Sequence, residues 1–541
     1  MTQYGANKPS SNLLKPLQTF SNPTPMSPSS NNKRIAKNTL LLYFRMGITM
    51  AVALFTSRVV LNTLGVEDYG VYNVVGGVVA MFGFINAAMS SATSRYITFA
   101  LGRGDEGELR KVFCTSVNIH VGIALIILLS AETVGLWYMN CKMVIPPGRE
   151  AAAMWVYQLS VVSTMMMIVS VPYNSCIIAH ERMSAFAYMS ILDVVLKLLV
   201  VYLLVVSPMD KLVFYSTLIL IVQFIDWFIY IRYCVSKFNE AHYHFVWDKR
   251  LTLEMTSFAG WSLFGNLSAV AFTTGLNLLL NLFFGPVVNA ARAVAVQVQN
   301  AIQQFVGNFQ MALNPQITKT YAQGEMEQMH TLMFRSARFS FFLLFFLSLP
   351  VLFETEYILT IWLKTVPANT TIFTRIIICT SLIYSFANPL IVANQATGAV
   401  KKYQMICGGI LLTILPISYI LLRNGFPAYS VFVVHFCMES IAQIARMIML
   451  RPLIGIRIKE YVEHIYSKVL FVALSSLVIP FLIYTNMPGG LARLVYIFLT
   501  CVIFVTLSVY VFGLTTHERE FVIKKALSYI NSRKTDDINK G

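Results

Sequence analysis

The sequence predicts an all-α polytopic membrane protein of about fourteen transmembrane helices, and three observations predict it. First, only 12% of the 541 residues are charged and 56% are hydrophobic, with mean hydropathy +0.64. A soluble domain carries about 25% charged residues. Too little polar side chain is present here to cover a globule in water. Second, runs of roughly 20 apolar residues, the length that crosses a bilayer, recur along the whole chain. Their centres lie near Met50, Phe82, Ala124, Met166, Val195, Val222, Val270, Val306, Phe346, Ser381, Leu412, Phe436, Leu474 and Phe504. Third, Lys and Arg gather in alternate connections. One side holds Lys33, Arg34, Lys37, Arg103, Arg110, Lys111, Arg232, Lys237, Lys401, Lys402, Arg451 and Arg457, with others. The opposite side holds only Lys142, Arg149, Lys211, Lys364, Arg375, Arg423 and Arg493. That asymmetry marks the first side as cytoplasmic and places both termini there. It also absorbs most of the net charge of +16, so no nucleic-acid partner is implied.

The chain divides accordingly. Residues 1–32, rich in Ser, Pro and Asn, read as a disordered cytoplasmic leader without the apolar core of a signal peptide. Spans one to six occupy 33–240, spans seven to twelve 241–452, and spans thirteen and fourteen 453–514. A cytoplasmic tail covers 515–541. No connection on the outer side is long enough for a catalytic domain; the longest surrounds "NCKMVIPPGRE".

A repeat supports two lobes. "LNTLGVEDYGVYN" precedes span two and "LNLFFGPVVNAAR" precedes span eight. Gly65 and Gly285 differ by 220 positions, and so do Gly104 and Gly324 (285 − 65 = 324 − 104 = 220). An offset of six spans keeps the orientation of each copy. Two six-helix lobes related by a pseudo-two-fold axis along the membrane normal follow, with a site between them and two appended helices.

Polar groups inside spans are costly and mark function or close packing. Span eight is the richest. With Arg292 at 0° and about 100° per residue, Gln299, Gln303 and Gln310 fall within about 20° of it. Gln297, Asn300, Gln304 and Asn308 spread from about 80° to about 160°, and apolar residues fill the rest. A cavity wall and interhelical hydrogen bonding both fit this pattern; the number of amides favours the wall. Arg45 lies about 12 Å into span one, past Lys37. It is either a cavity cation or a side chain that snorkels back to the interface. Asn277 shares a stripe of span seven with Asn266 and Thr273. Arg58 is placed near the outer end of span one, with Glu67 and Asp68 in the next turn. That set reads as an interfacial clamp or an outer gate. Asp226 and Glu132 have no partner nearby in sequence, which makes them candidates for ion coupling.

Nothing suggests catalysis or a cofactor. There is no P-loop and no G-x-S-x-G, so ATP bound to this chain is not an energy source. The eight cysteines form no CxxC pair and no zinc-like Cys/His spacing, so no metal is expected.

"TSRVVLNTLGVEDYGVYNVVGG" followed by "SSATSRYITFALGRGD" resembles the start of bacterial oligosaccharide and polysaccharide flippases. These are the Wzx-type members of the multidrug/oligosaccharidyl-lipid/polysaccharide exporter superfamily, in a branch often found in Bacteroidetes. The likeness runs roughly from Arg34 to Gly513. It implies a flippase that carries undecaprenyl-pyrophosphate-linked oligosaccharide across the inner membrane by alternating access, for O-antigen or capsule synthesis. It implies membrane lipids, and a polysaccharide polymerase and glycosyltransferases, as partners, and an ion gradient or membrane potential as the drive. Related lipid flippases use an arginine near the start of span eight on the pyrophosphate, and Arg292 is similar in placement. Their span-one arginines do not align with Arg45 or Arg58, which rest on depth and charge alone. The competing expectation is a cation-coupled multidrug exporter of the same superfamily. Its cargo would call for carboxylates and aromatics in the cavity.

Overall fold

The computed structural model describes residues 28–80, 83–141, 145–363, 366–516, 518–520 and 523. For some helical positions, Arg58 and Glu67 among them, it describes the backbone alone. The expected leader up to residue 27 and the end of the tail lie outside the described residues.

Fourteen labels cover the main helices in chain order: α1 Pro28–Ala80, α2 Gly83–Arg103, α3 Glu106–Cys141, α4 Glu150–Ala179 and α5 Met183–Val206. Then come α6 Lys211–Lys237, α7 Lys249–Phe284, α8 Pro286–Ala322, α9 Met326–Phe353 and α10 Thr370–Thr397. The last are α11 Val400–Arg423, α12 Ser430–Ile454, α13 Ile458–Asn486 and α14 Leu491–Gly513. No strand occurs among the described residues.

Eleven of these helices are long and apolar enough to cross a membrane. The three other expected spans lie on α1, α2 and α8. Helices α1 and α2 contain positions outside the described residues. Helix α8 is too polar, because its interior carries Arg292 and seven amides from Gln297 to Gln310.

The glycines of the repeat have a conformational reason. Gly65 breaks α1 at φ 82°, ψ 166° and separates the first two expected spans. Gly285 separates α7 from α8 at φ 77°, ψ −172°. Both lie in a region that is essentially closed to residues with a Cβ. Gly104 and Gly324 follow with φ 75° and 78°. The sequence offset thus reappears as a matched pair of backbone conformations.

Packing repeats as well. Helix α4 packs on α6, α1 on α5, α3 on α4 and α2 on α4. Six helices on, α10 packs on α12, α7 on α11, α9 on α10 and α8 on α10. The two sets, α1–α6 and α7–α12, meet through α2 against α7 and α8, and α1 against α8.

Helices α13 and α14 pack on each other and on α9, sharing one apolar core with it through Phe342, Leu349, Val472, Ile497 and Cys501. Ion pairs fix this appendage at both ends. Arg493 donates to both oxygens of Glu354 at 2.6 and 3.1 Å. At the other end Arg338 and Arg335 reach Glu518 at 2.8 and 3.1 Å. The two arginines and the Thr515 amide hold the Glu518 carboxyl below its usual range although burial opposes this.

A backbone reason for the glycines predicts a contrast. Gly65→Ala and Gly285→Ala should each destabilise the protein by about 1–3 kcal/mol. Gly47→Ala lies inside α1 with open space around it, and should be neutral or stabilising. Thermal unfolding in detergent checks this. Equal midpoints for all three variants would refute the conformational reason.

Candidate functional site

The structure splits the polar half of α8 in two. Gln299 and Gln303 donate to Ser381 Oγ on α10 at 2.9 and 3.2 Å. Gln310 donates to Ser340 Oγ on α9 at 3.0 Å and to the Ser385 carbonyl at 3.5 Å. The expected wall residues Gln299, Gln303 and Gln310 therefore face their own helix set. Their amides are satisfied by serines of α9 and α10, and Ser381 in turn donates to the Ile377 carbonyl at 2.9 Å. Gln297, Asn300 and Gln304 are exposed, together with Ala293 and Gly307. They occupy the sector from about 60° to about 140° from Arg292. At the edge of that sector, Asn308 touches α1 of the other set. It accepts from Arg45 Nη2 at 3.1 Å and donates to Met46 Sδ at 3.1 Å. The exposed amides thus continue the line of contact between the sets, where that contact has opened.

Two arginines in these helices have no ion pair among the described residues, and one of them lies on this line. Arg45 bridges the sets: Nη1 donates to Ser190 Oγ on α5 at 3.4 Å, Nη2 to Asn308, and the guanidinium lies 4.7 Å from the Phe186 ring centre. Arg292 is buried. It donates to the Asn277 Oδ1 and, at 3.1 Å, to the Thr273 carbonyl, both on α7. Asn277 and Thr273 are themselves exposed. The Nε of each arginine lacks a hydrogen-bond partner. The two cations are not one site. Asn308 lies 16 residues beyond Arg292 on α8, which is about 24 Å along the axis.

The bundle end that carries the basic residues is shut. Arg95 on α2 donates Nε to the Gln395 carbonyl and Nη2 to the Ala396 carbonyl, both at 3.0 Å. These are the last carbonyls of α10, where a helix leaves acceptors unfilled and favours a cation. The Arg95 guanidinium also stacks between Tyr96 and Phe99, 4.5 and 4.9 Å from their ring centres, with Phe258 of α7 at 5.6 Å. The mirror contact uses Gln316 of α8, which donates to Glu181 Oε2 at 2.6 Å in the α4–α5 turn. The two turns share a backbone. Arg182 has φ −80°, ψ 54°, and Ala399 has φ −82°, ψ 54°. Before them stand Glu181 at φ 56° and Gly398 at φ 78°. Between the turns Gly102 of α2 lies so close to Lys319 and Ala322 of α8 that a Cβ would meet the Ala322 Cβ at 2.8 Å. Among the described residues, every hydrogen bond and ring contact between the two sets lies at the level of Arg45 or nearer this end.

A family model described as "Polysaccharide biosynthesis protein" matches residues 35–321, more than half of the chain. The chain belongs to this family. Its fold is that of transporters of the MOP superfamily. It is similar to an outward-facing multidrug resistance MATE family transporter, with TM-score 0.68 at 12% identity, over 79% of this chain and 96% of that one. It is equally similar to a MATE structure in the bent conformation, with TM-score 0.68 at 13% identity and the same coverage. A MOP superfamily transporter from Pyrococcus furiosus matches with TM-score 0.63 at 14% identity, again over 79% and 96%. Its structure is described by a reversed polarity of the binding pocket that suggests a different function. Among curated proteins none matches.

In this family member the opposite end of the bundle is tied within the first helix set. Arg149 grips both oxygens of Asp68 at 2.7 and 2.6 Å and reaches Asp210 at 2.5 Å. Asp210 in turn caps α6 through the Leu212 and Val213 amides, both at 3.1 Å. Asp68 was expected to answer Arg58; among the described residues its partner is Arg149, 81 residues away. The side chains of Arg58 and Glu67 lie outside the described residues. Asp226 lies against Asp193, which holds Lys197 at 2.8 Å, so two carboxylates share one lysine. Glu132 accepts from Gln158 at 3.3 Å. The sequence reading missed Arg95, Glu181 and Gln316. The only signal for Arg95 was its place in the quoted "SSATSRYITFALGRGD".

The latch makes a measurable claim. Arg95→Ala should loosen the basic end without unfolding the bundle. Spin labels on the exposed residues 111 and 402, one in each set, report this. Their distance distribution should gain a longer component in Arg95→Ala and stay narrow in Arg103→Ala, which keeps every contact between the sets. An unchanged distribution in Arg95→Ala would remove Arg95 from the closure.

Proposed function

We propose that the protein flips a lipid-linked oligosaccharide across the membrane. On this reading the cargo is an undecaprenyl-pyrophosphate-linked repeat unit for a surface polysaccharide, O-antigen or capsule, and the membrane is the bacterial inner membrane. The basic end faces the cytoplasm, together with both termini. The conformation described above is then closed inward and open outward. Glycosyltransferases would supply the substrate and a polymerase would consume it.

One observation carries this reading. The exposed face of α8 presents amides to the line between the helix sets, Arg45 lies at its closed end, and no carboxylate appears on that face. Amides offer paired donors and acceptors that suit sugar hydroxyls. A guanidinium without a counter-ion suits phosphate oxygens. The family match adds polysaccharide synthesis as the context. Arg292 contributes field rather than direct contact until its link to Asn277 opens.

A multidrug exporter remains the second reading, because the structural neighbours include MATE family transporters named for multidrug resistance. Glu181, which meets α8 at Gln316, stands at the closed end and outside the exposed sector. Asp226 and Asp193 lie between α5 and α6, which suits a coupling proton or cation better than a cationic drug.

Reconstitution in vesicles with a fluorescent lipid-linked oligosaccharide separates the two readings. Wild-type protein should move the lipid between leaflets and should not export ethidium. Arg45→Ala should slow flipping by about tenfold or more, the equivalent of losing one charge-assisted hydrogen bond. Paired Asn300→Leu and Gln304→Leu should slow it further. Ethidium export with no lipid movement would overturn the proposal.

A further inference from the structure

Away from the cleft, three side chains meet at the basic end. Cys176 and His180 stand one turn apart at the end of α4, so they share a helix face. Glu240 reaches them from the short turn Asn239–Ala241 that follows α6. Their donor atoms all lie within 4.8 Å of one another. His180 Nε2 is 2.5 Å from Glu240 Oε1, and Cys176 Sγ is 3.5 Å from the same oxygen. Cys176 is fully buried and Glu240 is buried, while His180 keeps an edge toward solvent. Phe238 stacks on the imidazole at 4.2 Å and 14°, which fixes the ring plane with Nε2 toward the carboxylate.

An ordinary ion pair accounts for His180 and Glu240. It does not account for a buried thiol aimed at the same carboxylate oxygen. Thiolate, imidazole and carboxylate converging on one point form the donor set of a borderline-soft divalent ion. With metal bonds of about 2.0–2.3 Å in tetrahedral geometry, donors stand about 3.3–3.7 Å apart. The thiol and carboxylate already have that spacing. The imidazole and carboxylate need to part by roughly 1 Å, as the ion replaces the proton they share.

We propose that Cys176, His180 and Glu240 bind a zinc ion, with water in the fourth position on the solvent side of His180. On binding, the thiol loses its proton to solvent and the sulfur joins the metal as thiolate. The ion fastens the connection between the two helix sets to the end of α4. That connection already leans on α3, where Asn118 donates to the Val246 carbonyl at 2.8 Å and Tyr243 donates to Asn118 at 2.7 Å. The sequence reading passed over the site because its third donor lies 60 residues beyond His180.

Cobalt substitution tests the site on the full-length protein in detergent. After chelator treatment, Co²⁺ should bind at one per chain, with a thiolate-to-cobalt charge-transfer band, and Zn²⁺ should displace it. Cys176→Ser should remove the band. Glu240→Gln keeps the shape and hydrogen bonding of the turn, and should weaken binding about tenfold or more. Cys501→Ser, buried on α14, should leave both readouts unchanged. Two results overturn the proposal: no stoichiometric Co²⁺ binding by the wild type, or a band that survives Cys176→Ser.

Discussion

The polar half of α8 is the constraint around which this protein is arranged. A helix within a bilayer cannot leave seven amides and an arginine against lipid tails. The structure answers with two devices. One sector gives its amides to the serines of α9 and α10, which welds α8 into its own set. The next sector has no such partners and stays exposed. Its groups need water or a polar cargo, so the space between the helix sets has to be wet. The cleft is thus a consequence of the sequence of one helix, and the two sets are free to part along it.

Freedom to part has to be limited, and the closed end shows how. Arg95 and Gln316 each cross from one set to a turn of the other. The turns have the same backbone, yet the chemistry differs. On one side a guanidinium caps the carbonyls of a helix end. On the other an amide meets the carboxylate of Glu181, which occupies a left-handed conformation where its counterpart is a glycine. A non-glycine residue there costs of order 1–3 kcal/mol. The surroundings must supply that energy while the latch is shut, so the Glu181 side is the strained half and the Arg95 side the relaxed one.

Much of this architecture was legible in the sequence. Apolar runs located the helices, and the glycines at an offset of 220 located the two breaks whose backbone the structure repeats. The same reading placed the amides of α8 at the right angles but could not say which sector meets water. Periodicity gives directions relative to one helix, whereas exposure depends on which neighbour stands there. Pairings between distant segments were invisible for the same reason. Asp68 stands near Arg58 in sequence, yet it is held by Arg149, 81 residues away. Asp226 had no partner within a helical turn because its neighbour, Asp193, sits on the adjacent helix. The latch residues follow no pattern at all, since a carbonyl acceptor leaves no mark in a sequence.

The arginine at the contact between the sets also touches the carboxylate pair, through a short path. Arg45 donates to Ser190, and Asp193 stands three residues further along α5, on the same face. Tyr230, on α6 one turn beyond Asp226, lies beside Ser190, Asp193 and Arg45. Two cations, Arg45 and Lys197, and two carboxylates therefore belong to one polar cluster of the first helix set, in a medium that screens charge poorly. Parting of α1 from α8 would break the bond of Arg45 to Asn308 and leave its bond to Ser190, so the arginine stays with the first helix set when the contact opens.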